Sequence, residues 1–285
     1  MGLFDFLHGT TGRQMSELRK AQEQAITGLR VNRPSDDPTV LSEIHRLDAS
    51  VRDQTVYAAN AGMGNSVLAV VDGALSSVSD LVIRAREIAV AMAGDTVDSD
   101  GRAVAAVEVR GLYDALVDAA NTDIGGRYVF SGTGWATASF DDAGTYQGTT
   151  DEPNIQVGED RWVTSGFDGS QVFQGDVDIF AVIDSLATAL ESDDATSVSN
   201  ALGELDQATV QVSTWRSRAG TEMNLADDAA QIADSLGVIL NERLSAVASV
   251  DAAESYMLLN ELQGAYEATL QVASSTTSRT LFDLL

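Results

Sequence analysis

The chain has no cysteine, three prolines, two histidines, and 17 lysine plus arginine residues against 43 aspartate plus glutamate in a length of 285. Without cysteine there are no disulfides, thiol nucleophiles or thiolate zinc sites. The two histidines, His8 and His45, are few for metal or acid–base chemistry. A net charge of -26 repels phosphate backbones and anionic lipid, so neither nucleic acid nor a polybasic membrane anchor is expected. No run of uncharged apolar residues approaches the roughly 18 needed to cross a bilayer, the longest pieces being 67–71 and 236–240, and no membrane insertion is expected. The start, Met1-Gly2-Leu3-Phe4-Asp5-Phe6, lacks the basic and apolar regions of a Sec signal, and Phe6 stands where a myristoylation pattern wants Ser or Thr.

What is present is unevenly spread. Residues 125–210 hold 2 basic and 15 acidic groups, half the net charge, and nine of the seventeen aromatics lie between positions 128 and 180. An acidic, aromatic-rich insert is thus flanked by two arms rich in Ala, Leu and Val. Proline is confined to Pro34, Pro38 and Pro153, which leaves 114 consecutive residues without an obligate helix breaker. Ser35-Asp36-Asp37-Pro38 reads as a helix start, with Asp37 capping free N–H groups and Pro38 at the first helical position. Downstream, Val67, Val71, Ala74, Val78, Leu81, Ala85, Ile88 and Met92 form a heptad stripe along roughly 39 Å of helix. Gly94-Asp95-Thr96 closes it, and Asp98-Ser99-Asp100 opens another helix carrying Ala105, Val109, Leu112, Leu116 and Ala119.

Nearer the ends, Met15, Leu18, Ala25 and Leu29 share one face of an N-terminal segment, and Leu259, Leu262, Tyr266, Leu270 and Ala273 do the same near the C-terminus. Both stripes are narrow, so each helix needs a partner. Gly220, Gly237 and Gly264 fall within helical pattern at roughly 1 kcal/mol each, and breaks or weak points are expected there. In the middle, Arg127-Tyr128-Val129-Phe130, residues 154–157 and residues 161–164 read as strands among frequent glycines, a small β-rich unit. Helical spacing returns at Phe180, Ile183, Ala187 and Leu190, then at Val198, Leu202, Leu205 and Val212.

No catalytic or metal site is assigned. The acidic pairs Asp141-Asp142, Asp151-Glu152, Glu159-Asp160, Asp193-Asp194 and Asp227-Asp228 point to opposite faces of a strand, or about 100° apart on a helix, so adjacency makes no chelate. Asp176-Val177-Asp178 opens like a calcium loop but places Phe180 and Ala181 where an oxygen ligand and Gly are wanted. A Gly-x-Ser-x-Gly nucleophile elbow is absent. The chain reads as a non-enzyme without cofactors.

Three blocks carry a resemblance. The run Ile26-Thr27-Gly28-Leu29-Arg30-Val31-Asn32-Arg33-Pro34-Ser35-Asp36-Asp37-Pro38 resembles the N-terminal signature of bacterial flagellins and hook-associated proteins. Asn121-Thr122, Gly126-Arg127-Tyr128-Val129-Phe130-Ser131-Gly132, Phe140 and Gly144-Thr145-Tyr146-Gln147-Gly148 resemble the helix end and first β region of the hook-filament junction proteins, the third hook-associated proteins of the flagellin superfamily. Leu240-Asn241-Glu242-Arg243-Leu244-Ser245, Asp251, Tyr266-Glu267-Ala268-Thr269-Leu270 and Leu281-Phe282-Asp283-Leu284-Leu285 are similar to their C-terminal arm. The start, 1–9, is more apolar than the family's short polar opening.

The resemblance implies a mainly α, flagellin-like fold: a long antiparallel helical, coiled-coil rod built from both termini with a small β-rich domain inserted. Its expected parts are an N-terminal arm at 1–40, rod halves at 41–125 and 177–250, the acidic β-rich domain at 126–176, and a C-terminal arm at 251–285. The arms are expected to form an inner coiled-coil layer through Met15, Leu18, Ala25, Leu29, Leu259, Leu262, Tyr266, Leu270, Ala273, Leu281, Leu284 and Leu285. By the same resemblance the protein is a secreted structural adaptor, exported by the flagellar type III route. Its partners are then a ring of its own copies, the neighbouring hook-associated protein, flagellin and an export chaperone. Filament flagellin shares the arms and is the alternative. The strand after the second core helix, and a C-terminus without a Gln- and Asn-rich pattern, favour the junction reading.

Overall fold

The computed structural model describes the backbone of residues 3–94 and 97–282, and the side chains of 8–94, 97–272 and 274. Among the described residues seven helices and four short strands follow in order: α1 (Leu3–Thr27), α2 (Pro38–Met92), α3 (Ser99–Ala120), β1 (Asp123–Ile124), β2 (Arg127–Tyr128), β3 (Asn154–Gly158), β4 (Arg161–Thr164), α4 (Gly169–Gln174), α5 (Ile179–Glu191), α6 (Ala195–Ala248) and α7 (Ala252–Phe282). The chain divides into two compact units, one from residues 1–53 with 236–285 and the other from 54–235, so that α2 and α6 each contribute to both.

In the 54–235 unit, α2 buries Leu68, Val71, Leu75, Val78, Val82, Ala85 and Ala89. The heptad spacing is there, but Leu68, Leu75, Val82 and Ala89 lie on the buried centre line, while Val67, Leu81 and Met92 flank it half-buried. α2 also holds an 18-residue stretch of mean hydropathy 1.7, long and apolar enough by composition alone to span a bilayer, and a third of it is buried inside the protein. Its Leu68, Val71, Leu75 and Val78 are fully enclosed by the protein's own core. Three polar contacts set α2 antiparallel to α6: Arg86–Asp206 at 2.6 Å, Arg216–Asp72 at 3.1 Å, and Asn65 Nδ2 donating to Asp227 at 2.5 Å.

α3 starts where Asp98 accepts the Gly101 N–H at 2.9 Å, and packs on α5, whose Ile179, Val182, Ile183, Leu186 and Leu190 are all buried. Buried Arg102 donates to the Met92 and Gly94 carbonyls at 3.0 and 2.8 Å and pairs with Asp193, placing a cation on the orphan carbonyls at the end of α2. Asp95 and Thr96 lie outside the described residues.

The segment between α3 and α5 is turn-rich rather than a sheet. β1–β2 and β3–β4 are separate two-stranded antiparallel ribbons. β3 and β4 match the sequence spacing at 154–157 and 161–164. β2 ends at Tyr128, yet the Val129 N–H still reaches the Thr122 carbonyl at 3.1 Å, and the Val129 and Phe130 carbonyls accept the Phe167 and Gly169 N–H groups at 3.2 and 2.9 Å while both side chains are buried. Phe130, Phe140, Phe173 and Phe180 meet at ring centroid distances of 4.9–5.7 Å, so the segment shares its core with α5. Asn121, at the end of α3, clamps Phe140 in both directions, its amide donating to the Phe140 carbonyl and its Oδ1 accepting the Phe140 N–H, each at 2.9 Å. Gln211 of α6 does the same for the α4–α5 connection, donating to Val172 and Val177 carbonyls at 3.0 Å and accepting the Val177 N–H at 2.9 Å. The β3–β4 ribbon is held from both sides, by Asn60 of α2 on the Gln156 carbonyl (2.8 Å) and Glu222 of α6 on the Thr164 N–H (3.1 Å).

Gly220, Gly237 and Gly264 cause no break: α6 and α7 run through them. At Gly220 a cost of about 1 kcal/mol is small beside its buried flanks, where Ala219 and Ala226 are fully enclosed; Gly237 and Gly264 have mostly exposed neighbours and no such cover. The interruption falls instead at residues 249–251, where Asp251 accepts the Ala253 N–H at 2.8 Å and caps α7.

Two glycines should therefore respond oppositely to alanine. Gly132 has φ +60 and a Cβ there would meet the Thr149 carbonyl oxygen at 2.1 Å, whereas nothing lies within 4 Å of a Cβ at Gly220. Gly132→Ala should destabilise by more than the ~1–2 kcal/mol of left-handed strain alone, and Gly220→Ala should stabilise by up to ~1 kcal/mol. Urea titration of both variants measures the two signs.

Three carboxyls sit below their ordinary range: Asp141 through the Thr145 and Ala143 N–H groups, Glu191 through Arg110, and Asp194 through the Ser197 hydroxyl and N–H. A lowered folded pKa gives stability that is present above the unfolded value, about 4 for these groups, and lost as pH falls through the folded one. The melting-temperature gap between wild type and Asp194→Asn should be widest near neutrality and close toward acid pH. A gap independent of pH would contradict this.

Candidate assembly interface

The unit formed by 1–53 and 236–285 is organised by a corner between α1 and α2. Gly28, at φ +70, ends α1 and frees its carbonyl for the Val250 N–H at 3.0 Å, while the Arg30 N–H reaches the Ala248 carbonyl at 2.7 Å. These two bonds form an antiparallel bridge, Leu29 to Ser249, between the exits of α1 and α6. Gln24 Nε2 closes the turn on the Arg30 carbonyl at 2.7 Å, and Arg33 reaches back to Glu23 of α1 at 3.1 Å. The Asp36 carboxylate accepts the Arg33 N–H at 3.1 Å and faces Lys20 at 3.7 Å. Asp37 then accepts the Thr39 and Val40 N–H groups, each at 3.1 Å, as expected of a cap before Pro38. The conspicuous polar string 28–38 is thus a corner that fixes where the terminal helices leave.

α1 and α7 pack on one another within the chain. Leu18 and Ala21 of α1 and Ser255 of α7 are buried, and Ala25, Leu259, Leu262 and Tyr266 are half-buried. Met15, Leu29 and Leu270 are exposed. The side chains of Ala273 and Leu281, and all of Leu284 and Leu285, lie outside the described residues. The two stripes therefore serve first as each other's partners, which narrow stripes of matching length favour.

What remains open is the apolar surface off the stripes. Ile26 is 84% exposed and Met257 65%, with Tyr256, Leu258 and Val272 exposed as well. On the 236–248 stretch of α6, Leu236, Val238 and Ile239 are also exposed. A one-face reading missed them, yet Tyr256-Met257-Leu258-Leu259 are four consecutive apolar residues. At 100° per residue they cover most of a helix circumference, and a single partner cannot bury them all. Exposed apolar surface on this scale marks an interaction site. No three His, Asp or Glu side chains converge as metal ligands among the described residues, and His8 and His45 are solvent-exposed on separate helices.

The family model for the bacterial flagellin N-terminal helical region matches residues 7–134. The chain is similar to flagellar hook-associated protein 3 of Escherichia coli, 32% identical over 73% of this chain and 63% of that protein. It is also similar to flagellar hook-associated protein 3 of Salmonella typhimurium, 35% identical over 50% and 45% of the two chains. The matched segments thus span less than two thirds of either relative. A flagellin from Halalkalibacterium halodurans is 25% identical over 88% of this chain and 84% of its own. Among solved structures, a flagellar hook-associated protein from Vibrio parahaemolyticus superposes with a TM-score of 0.68 at 19% identity, covering 75% of this chain and 99% of that one. Hook-associated protein 3 from Legionella pneumophila gives 0.65 at 16% identity, over 72% and 98%. At those identities the two structures establish the fold.

The corner gives a direct test. Asp36→Ala removes the acceptor for the Arg33 N–H and the partner of Lys20, and should cost about 1 kcal/mol. It should raise amide hydrogen exchange across 28–37 while leaving exchange in α5 unchanged. Equal exchange at the corner in both proteins would show that Asp36 holds nothing.

Proposed function

We propose that this chain is a structural adaptor of the bacterial flagellum, joining hook to filament, and that it catalyses no reaction. The carrying observation is that the apolar residues of α1, α6 and α7 exceed what the chain itself covers: Ile26, Leu236, Val238, Ile239, Tyr256 and Met257 are all exposed. A monomer that leaves such helices bare is built to be covered by copies of itself or by neighbours. The similarity to hook-associated protein 3 in two organisms supports reading that surface as a contact at the junction.

In this reading the arms, 1–40 and 251–285, form an inner coiled-coil layer. Met15, Leu18, Ala25, Leu29, Leu259, Leu262, Tyr266, Leu270, Ala273, Leu281, Leu284 and Leu285 lie at its contacts. The protein is secreted through the flagellar export channel with a chaperone's help and sits as a ring between the preceding hook-associated protein and flagellin. Helices packed side by side suit an adaptor because torque and bending are shared over many small contacts. Filament flagellin is the second reading, favoured by the length of its match, 88% of this chain, and disfavoured by its lower identity, 25%.

Leu262→Asp tests the arm pairing that presents this surface. It places a charge in the half-buried α1–α7 seam, far in the chain from the Phe130–Phe140–Phe173–Phe180 core. The main melting transition should stay within about a degree or two, while incorporation fails and flagellin accumulates in the medium. A null strain separates the two readings. Loss of the adaptor leaves hooks intact with flagellin monomers secreted, whereas loss of a filament subunit removes the secreted flagellin too. Filaments of normal length in the null strain would remove the proposal.

A further inference from the structure

Within the 54–235 unit, a groove of about 90 Å³ opens between α2 and the ribbons, lined by Met63, Val67, Ile124, Tyr128, Trp135 and Ile155. That volume equals about three waters at ~30 Å³ each, the bulk of one branched aliphatic side chain. Met63 and Trp135 are each about half exposed, at 50% and 47%, so the groove is an open apolar surface rather than a sealed core. Its one cation is Arg127, which stacks 4.9 Å over the Trp135 ring and makes no ion pair among the described residues.

The same unit carries a convex counterpart. On α3, Val104 and Val107 are each 74% exposed, one helical turn apart, and Gly111 continues the line without a side chain. Asp100, Glu108, Asp114 and Asp118 share the exposed side of α3 with them. The groove offers apolar walls and an unpaired cation; the helix offers two aliphatic side chains beside carboxylates. Their chemistry is complementary.

We propose that the groove receives the Val104–Val107 face of α3 from a second copy of this chain. The two surfaces differ, so the contact is heterologous and, repeated with a closing rotation, generates a ring. This rests on the adaptor reading and supplies its lateral contact between subunits. Val107 or Val104 fills the groove, and a carboxylate of the same face meets Arg127 as it lies over Trp135.

Because the chain lacks cysteine, cross-linking reads the contact without background. Two full-length copies with different tags, one Met63→Cys and the other Val107→Cys, are expressed together in the null strain. Isolated flagella are then treated with a short bismaleimide. Both positions are exposed, so folding is preserved, and Ile124→Cys with Val104→Cys provides an independent pair. The expected product is a dimer bearing both tags, lost when either cysteine is absent and reduced when Arg127→Glu is added. Protein present in flagella but cross-linked only Val107 to Val107, joined only to flagellin, or not joined at all overturns the proposed contact and leaves the adaptor reading standing. Absence of the correctly folded protein from flagella overturns the adaptor reading and this contact with it.

Discussion

Everything in this molecule depends on two helices of 55 and 54 residues finding cover for apolar lines they cannot bury alone. A helix in water has little stability of its own, and one carrying Leu68, Leu75 and Val82 on a single line needs a partner along its length. α2 and α6 meet that need for one another, with Arg86–Asp206, Arg216–Asp72 and Asn65–Asp227 fixing their register in one unit and Arg243–Glu43 doing so in the other. These polar contacts are exposed and individually weak. Their part is to choose the alignment, and the aliphatic line supplies the energy.

The acidic middle segment is integral to that arrangement. Phe130, Phe140 and Phe173 complete the wall that α5 presents through Phe180, and Asn121 and Gln211 satisfy backbone groups that would otherwise be buried without partners. Arg218 joins the segment to α6 through a two-pronged contact with Glu152 while lying over Phe167 and Trp215, within 4.9–5.0 Å of their rings. Apart from buried Asp168 the carboxylates stay toward solvent, and Phe130, Phe140, Phe167 and Phe173 turn inward, so high negative charge and a dry core coexist in one short stretch of chain.

Much of this was legible in the residues. Proline at the first turn after an aspartate marked the start of α2, and residues 154–157 and 161–164 alternated as the strands they are. The buried line on α2 lay partly one position from the stripe, because a face wide enough to meet several neighbours buries both Val71 and Leu75, and spacing alone does not say which residues form its centre. Glycine misled at 220, 237 and 264; at 220 local propensity yields to the packing of its flanks. α4 was hidden among glycines, where Asp168 caps it by accepting the Ser170 N–H. At the candidate interface Leu18, Leu259, Leu262 and Tyr266 of the stripes lie in the α1–α7 seam while Met15, Leu29 and Leu270 are exposed, and Ile26, Tyr256 and Met257, also exposed, lie off the stripes, where periodicity gives no signal.

A paired α1–α7 unit with a surface awaiting neighbours suits both an adaptor and a flagellin, and the two differ in place: an adaptor occupies a single level of the assembly, whereas a flagellin repeats along the whole fibre. Immunogold electron microscopy of intact flagella, using antibody against the β3–β4 ribbon with its exposed Trp162, tests this most directly. The account predicts label confined to a narrow band where the hook ends and the filament begins. Label distributed along the filament would contradict it and make the chain a flagellin.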